Sequence, residues 1–599
     1  MNWNPSPPTD GVSRRSFLAA GVAGATVATS GCIDRVRSVV NQSGHNRLSL
    51  SITTVPADAD RQNIRIARRL EDRLKKVGIN VSMDMRSRSE LLKTVLIEQD
   101  FDLYIGLHPA DYDPDFLYEA LHSTYAPEAG WQNPFGFTNI AFDTRLEAQR
   151  RTDGTERIDH IKSVLRGLAQ TKPFEPICLP DEIRVADAER FDGWTDSDLS
   201  TRHGYLGLES ADSVDQLHAL LTSGRTTVNL NPLSATFRKQ GTTIDLLYDS
   251  LGSERDGTID PWLADSWKWT EKATNSNTSD RDETATRTAT VSLREGCTFH
   301  DGKPVTADDV AFTYRFLADT SLGRADVRSP APQYRGHVSI VDEITVKDDY
   351  QLEITVTSSR EVAERAFTVP ILPAHVWRKR VNQHAAAGDF TAPQGRWSVV
   401  TANNVPPIGS GPYRFETRTE DETLVLRRFD DHFTLRDDVA LSGPTVDELR
   451  FTVDPGSVSS INRVEDGNAD LTASMLSAHS LGAISDSSDV ERLESPSRMF
   501  YHIGFNVRNA PFSNPHFRRA ITQLLDKEAI VDDVFYSNAT PTATPVTGKC
   551  VPASLEWTGE DPVTPFVGSN GRLNVEAAKS AFEAAGFRYD NNGRLLANY

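Results

Sequence analysis

The spacing of apolar positions changes along the chain, and each change marks an element. Residues 48–55 (LSLSITTV) alternate as a strand. Over residues 61–77, Ile64, Ala67, Leu70, Leu74 and Val77 fall on one helical face, and charge occupies the other. Residues 79–85 alternate again, 89–98 predict a helix, and Phe101 to Leu107 predict a buried strand. A strand–helix–strand–helix–strand run implies parallel strands joined by right-handed crossovers. A helix over 156–170 and a strand over 175–187 follow. Past residue 225 strands dominate, at 288–294, 340–345, 350–357, 411–417, 422–428 and 447–454. About 550 residues beyond the leader exceed what one core holds, so two or three domains are expected, and the run of elements makes the expected fold class α/β, in two lobes.

Two stretches interrupt this pattern. Thr274 to Arg287 (TNSNTSDRDETATR) is low in complexity and sits between strand-like runs, which predicts an enlarged surface hairpin loop. The first 32 residues read as a leader. Ser13-Arg14-Arg15-Ser16-Phe17-Leu18 resembles a twin-arginine export signal, followed by an apolar run from Leu18 to Val27 that is too short to span a membrane. Thr29-Ser30-Gly31-Cys32 resembles a lipoprotein processing site, which makes Cys32 the expected lipid attachment point and 33–46 a polar tether.

Composition narrows the function classes. There are 84 acidic and 64 basic residues, a formal charge of −20, and only 14 of the basic residues are Lys. This resembles a haloarchaeal, salt-adapted chain. In molar salt the Debye length is about 3 Å, so surface repulsion costs little. No Lys/Arg stripe marks a nucleic-acid surface. Cys178, Cys297 and Cys550 are widely spaced and predict small buried side chains, and no metal-ligand spacing occurs. No Gly-x-Ser-x-Gly, His-Glu-x-x-His or Walker A pattern is present, so no catalytic residues, cofactor or metal are expected.

Three motifs stand out. In Leu293-Arg294-Glu295-Gly296 and Phe299-His300-Asp301-Gly302-Lys303-Pro304-Val305-Thr306-Ala307-Asp308-Asp309, the Asp301-Gly302 pair predicts a tight turn. Thr306 with Asp309 predicts a capping box. An acid–base role for His300 and Asp301 lacks a third group to orient them. Gly409-Ser410-Gly411-Pro412-Tyr413-Arg414-Phe415 precedes a strand and predicts a close backbone approach. Phe505-Asn506, Pro511-Phe512 and Phe517-Arg518-Arg519-Ala520 form a strand-to-helix segment, with Arg518 and Arg519 expected on the helix surface.

The chain's two ends complement one another. Helix 574–586, the turn Asp590-Asn591-Asn592-Gly593 and the short strand Arg594-Leu595-Leu596 would run directly into strand 48–55 and helix 61–77. The joined unit and the three motifs resemble the family 5 solute-binding proteins of ABC transporters, the dipeptide and oligopeptide binders. In that family's order, the closing segment precedes the opening one. The block 47–205 resembles the family's C-terminal part and 225–599 its N-terminal and central parts, as a circular permutation would arrange them.

The resemblance implies a type II periplasmic-binding-protein fold with a hinge. Lobe II would comprise 47–185 and 505–599. Lobe I would span 186–504 with an extra subdomain at about 266–405, and the hinge crossings would lie near 186–190 and 500–505. It implies an extracytoplasmic, lipid-anchored, monomeric receptor that captures a peptide and passes it to a membrane permease and its ATPase. Receptors for an oligosaccharide or a nickel chelate, and a sensory or scaffold protein, are the alternatives.

The expected binding segment is Gly106-Leu107-His108-Pro109-Ala110-Asp111-Tyr112-Asp113-Pro114-Asp115-Phe116, at the carboxyl end of a buried strand, where open α/β sheets place ligands. The resemblance makes Asp111 the contact for a peptide's α-ammonium, with Tyr112, His108, Trp131, Phe505 and Asn506 as further ligand-binding candidates. Asp111, Asp113 and Asp115 share the opening spacing of an EF-hand, but Phe116 stands where Gly is required.

Overall fold

The amphipathic helix Arg61–Lys76 shows how the predicted periods become structure. Asp60 caps it by accepting from the Asn63 amide at 2.9 Å, and Arg73, Lys75 and Lys76 in its last turn complement the helix dipole. Ile64, Ala67, Leu70, Leu74 and Val77 are at most 2 % exposed. Ala67, Leu70, Leu74 and Val77 pack on β1 (Ser49–Thr54), β2 (Asn80–Met85) and β3 (Leu103–Pro109), and β1 pairs parallel with both neighbours, as the crossover reading requires. The second crossover helix begins at Arg88–Leu92 under a Ser87/Glu90 capping box and continues as a π-helical segment, Lys93–Glu98. The computed structural model describes residues 47–597 other than 112, 195–198, 212–213, 237–241, 256, 273–285, 387–393, 486–488 and 496.

Two large sheets carry the lobes. The first has six strands in the order β2, β1, β3, Met499–Phe505, β4 (Phe174–Pro180) and Ala539–Pro541. Strand Met499–Phe505 runs antiparallel to both β3 and β4, so a segment late in sequence fills the sheet's centre. The second sheet has seven strands and includes β5 (Glu182–Asp187), Gln216–Leu221, Glu448–Val453 and Val490–Ser495. A separate antiparallel sheet of Ala264–Lys272, Thr286–Leu293, Gln351–Val356 and Val341–Asp348 lies within the expected extra subdomain. Its first two strands make the predicted hairpin, whose loop lies largely outside the described residues.

The chain passes between the large sheets earlier than the sequence suggests. What reads as one strand over 175–187 is two, β4 in the first sheet and β5 in the second, with Asp181 between them. The return passage falls between Ser495 and Met499. Continuous apolarity cannot show where a strand changes sheets, which is why the expected crossings, 186–190 and 500–505, lie a few residues too far on. Strand Gln216–Leu221, in the stretch 206–224 assigned to neither block, pairs parallel with Glu448–Val453 and so belongs with the later block.

The two ends of the described chain are hydrogen-bonded to each other. Leu48 donates its amide to the Leu595 carbonyl at 2.7 Å, Leu595 donates to Gly78 at 3.1 Å, and Arg47 and Leu596 form an antiparallel bridge. Deeper in the same lobe, Lys172, Glu175, Lys527 and Asp561 form a buried cluster in which Lys527 lies 2.6 Å from Glu175 and 2.7 Å from Asp561. Lys172 lies 2.6 Å from Glu175. These contacts join early and late segments into one core.

Arg518 was expected at the surface but is buried. It donates to the Lys172 carbonyl at 2.7 Å and to the carbonyls of Thr171 and Phe512. The other local motifs take their predicted forms. Gly302 has φ of 79°, Thr306 and Asp309 make the capping box, and Gly409 and Gly411 lie hard against the backbone of Leu246 and Leu247. Cys178, Cys297 and Cys550 are free and buried. Among the described residues, no helix is long and apolar enough to cross a membrane.

Candidate ligand-binding cleft

A cleft of about 1070 Å³ opens between the two large sheets at the passage points. Its walls come from the end of β3, the start of β5, the 473–479 loop, and Arg498, Met499 and Tyr501 on the returning strand. Strand alternation decides what β3 contributes. Leu107 and Pro109 face the cleft, so His108 between them faces the other way. His108 is 3 % exposed and packs among Phe116, Trp131, Phe135, Phe174, Phe500 and His502, with Nδ1 2.7 Å from the Pro109 carbonyl.

Beyond β3, the three aspartates each meet an arginine. Asp115 is held by Arg150 through a two-point contact of 2.7 and 2.8 Å. Asp113 is held by Arg157 at 2.6 and 2.9 Å. Asp111, which lines the cleft, receives Arg365 Nη2 on Oδ2. The arginines extend the contact to segment 336–365: Arg150 donates to the Gly336 carbonyl at 3.1 Å and to Ser339 at 3.0 Å, and Arg157 donates to Glu361 at 3.1 Å. Residues 111–157 and segment 336–365 are thus stitched along one seam. Burial works against the charge on Asp111, but Arg365, helped by His337, outweighs it and the carboxyl stays below its usual range. His337 lies 4.0 Å from Asp111, yet burial and the Arg365 charge hold its pKa down at about 4, so it is neutral at pH 7 and Arg365 carries the pairing. Burial also opposes Asp113, and Arg365 and Arg157 outweigh it, leaving its pKa at about 2.

Glu254, on strand Gly252–Arg255, lines the cleft near Asp111. Its pKa is pushed up to about 7, first by burial and then by the Asp111 charge. At β5, Glu182 and Arg184 project to the cleft, while Ile183 and Val185 enter a small apolar cluster behind. Glu182 accepts the Arg498 amide at 3.1 Å and Arg184 Nη2 at 3.2 Å. The cleft therefore combines an acidic wall at Asp111 and Glu254 with arginines at the passage points.

Of the expected contacts, Asp111 alone among the described ones lines the cleft. Trp131 is 7 % exposed and turns edge-on to His108 in the aromatic core. Phe505 is fully buried and stacks on Phe512. Asn506 is also buried and ties the chain down through the Gln99 and Phe101 carbonyls at 3.1 and 2.9 Å. Tyr112 and Cys32 lie outside the described residues. His300 and Asp301 do not act as a pair: His300 accepts from the Gly409 amide at 3.3 Å, and Asp301 meets His375 at 2.8 Å. Sequence reasoning missed Glu254, Arg365 and Arg184. For Arg184 there was one signal, the polar positions 182 and 184 alternating with Ile183 and Val185.

Residues 258–598 match the model of the bacterial extracellular solute-binding proteins, family 5 middle region. The oligopeptide-binding protein AppA of Bacillus subtilis is 24% identical over 312 residues, covering 51% of this chain and 50% of that protein. The periplasmic oligopeptide-binding protein OppA of Salmonella typhimurium is 24% identical over 364 residues, covering 58% of each. The chain spans about half the length of the curated relatives it matches. A solved structure of the Bacillus subtilis AppA with a nonapeptide is 19% identical, covers 63% of this chain and 65% of that one, and superposes with a TM-score of 0.43. With more than half of its length under the family model, this chain belongs to the family 5 extracellular solute-binding proteins, whose members are binding proteins.

Proposed function

We propose that this protein is the solute-binding receptor of an ABC importer, capturing peptides in the interlobe cleft and presenting them to a separate permease and ATPase. The observation that carries this is the cleft itself. It lies at the passage between two sheets and bears both signs of charge, in a chain of the solute-binding family. Its volume of about 1070 Å³ lies just above the roughly 300–1,000 Å³ range of small-molecule sites, with room for a short peptide. Asp111, backed by Glu254, supplies the anionic wall for the peptide's ammonium. Arg365 on Oδ2 keeps Asp111 charged, so this carboxylate is ionised before ligand arrives. Opening and closure turn on the two passages, near Asp181 and between Ser495 and Met499.

Residues 1–32 act as a twin-arginine signal, Cys32 carries the lipid, and the receptor works as a monomer on the outer face of the membrane. The segment order is a circular permutation. Two observations favour it: the hydrogen-bonded ends, and the early and late segments sharing one sheet. Its new ends correspond to a joint just ahead of Gln216. A chain linked from residue 599 to 47 and opened near 211 should fold and bind as the natural one does, and failure of that chain to fold would count against the permutation.

The function is tested by offering the folded protein, in molar salt, a tryptic casein digest mixed with malto-oligosaccharides. Retention of peptides is expected. Retention of sugar alone would sink the peptide reading and leave the receptor class standing.

A further inference from the structure

Away from the cleft, the buried cluster of Lys172, Glu175, Lys527 and Asp561 brings two amines and two carboxylates into contact, and none of the four residues is more than 4 % exposed. Lys527 opens the helix Lys527–Phe535, Glu175 lies on β4, and Asp561 lies in the segment between Leu555 and Gly568. Lys527 Nζ meets Asp561 Oδ2 at 2.7 Å, Glu175 Oε1 at 2.6 Å and the Thr542 carbonyl at 2.8 Å. The carboxyl carbon of Asp561 is one bond beyond Oδ2. Its other oxygen, Oδ1, accepts the backbone amides of Val563 at 2.9 Å and Thr564 at 2.8 Å. Two amides on one carboxyl oxygen stabilise the negative charge that develops there when the carbon is attacked. Lys172 lies 2.6 Å from Oε2 of Glu175 and so fixes that carboxylate from its far side.

Charge and burial together favour a reaction between the two groups. Burial opposes the charge on Asp561, and Lys527 and Lys172 outweigh it; burial also opposes the charge on Lys527, and Glu175 and Asp561 outweigh it. Both groups are therefore ionised in the fold. A buried ion pair carries a large desolvation cost, and a neutral group of similar shape in its place is often more stable. Amine and carboxyl held in contact have effective concentrations on the order of 10⁵–10⁸ M. Once they are joined, one balanced pair remains, Lys172 with Glu175.

We propose that Lys527 and Asp561 condense into an intramolecular amide, with Glu175 as the proton carrier. The ammonium of Lys527 passes one proton to Asp561 Oδ2. The freed lone pair on Nζ attacks the carboxyl carbon, and Oδ1 takes the negative charge against the Val563 and Thr564 amides. Glu175 removes a second proton from Nζ and delivers it to Oδ2, which leaves as water. One C–N bond forms, one C–O bond breaks, and Glu175 returns to its carboxylate form. The last proton stays on the amide nitrogen and faces the Thr542 carbonyl. The bond ties the helix Lys527–Phe535 to the segment around Asp561, in a chain whose described cysteines are all free. It is independent of what the cleft binds.

The test is peptide mapping by mass spectrometry of the full chain, purified folded in molar salt and then denatured and digested. The expected product is a branched peptide that joins the Lys527 and Asp561 segments and is lighter than their sum by one water. Recovery of only the two linear peptides from the native protein, which needs no variant, would overturn the proposal and leave the receptor reading untouched. Glu175→Gln should slow formation of the bond about a hundredfold or more and so yield mainly linear peptides, with circular dichroism verifying the fold. The branched peptide at native yield in that variant would overturn the role given to Glu175. Lys527→Arg keeps the positive charge but should yield no branched peptide and should melt at a lower temperature than the native protein.

Discussion

The two charged regions that border the cleft are built on opposite principles. The aspartates beyond Asp111 are closed: Asp113 and Asp115 are each gripped by two guanidinium nitrogens, whereas Asp111 meets Arg365 through Oδ2 and lines the cleft. The charges at the start of β5 are open, with Arg184 holding Glu182 and keeping Nη1 unspent. A closed network stabilises architecture, because each charge removed leaves another buried and unpaired. An open one costs stability, because a buried donor lacks its acceptor. Acid-rich sequence alone suggests the reverse, drawing attention to the aspartates and away from the arginine.

The comparison can be broken most severely at Arg150. Arg150→Ala strands Asp115, which is 3 % exposed, and should cost about 3–5 kcal/mol in chemical denaturation. A loss under about 1 kcal/mol would mean that the ladder is not structural.

Acid attacks the same ladder more gently. Asp113 titrates near 2 in the fold, below its unfolded value near 4. Its contribution of about 2 kcal/mol is therefore present above the unfolded pKa and lost as pH falls from about 4 towards 2. Asp113→Asn should remove that acid-dependent loss, measured as unfolding free energy between pH 5 and pH 2.5.

Glu254 should show the opposite sign. Its pKa of about 7 lies above the unfolded carboxylate value, so the folded state binds the extra proton and stability declines as pH rises from about 4.5 through 7. Glu254→Gln should flatten that decline, by an amount on the order of 1 kcal/mol after solvent screening. Over the same window, affinity for a cationic ligand group should rise as Glu254 ionises. A melting profile that improves from pH 5 to pH 8 would contradict the placement of Glu254 against Asp111.

The smallest stability effect belongs to Arg184. Arg184→Gln should change unfolding free energy by about 1 kcal/mol or less, since the substitution also relieves an incomplete buried donor. A cost matching that of Arg150→Ala would erase the distinction between the closed and open regions.

The scaffold was far more legible than the site. Local period placed β1, β2, β3 and the helix between β1 and β2, because their burial is decided by spacing within each segment. The site depends on meetings that no local pattern encodes. Arg365 reaches Asp111 across 254 positions, and Arg518 finds the Lys172 carbonyl across 346. His108 shows a different error. It neighbours cleft residues in sequence, but strand geometry turns it into the aromatic core, so shared motif membership did not imply a shared surface. The strand break at Asp181 was hidden because β4 and β5 are both buried, and burial does not tell one sheet from another.

The most direct measurement is mass spectrometry of the small molecules released when the protein, purified folded in high salt, is denatured. The account predicts short peptides with a free ammonium, the group that the acidic wall at Asp111 would hold. A sugar, a neutral molecule or a metal chelate in their place would contradict it.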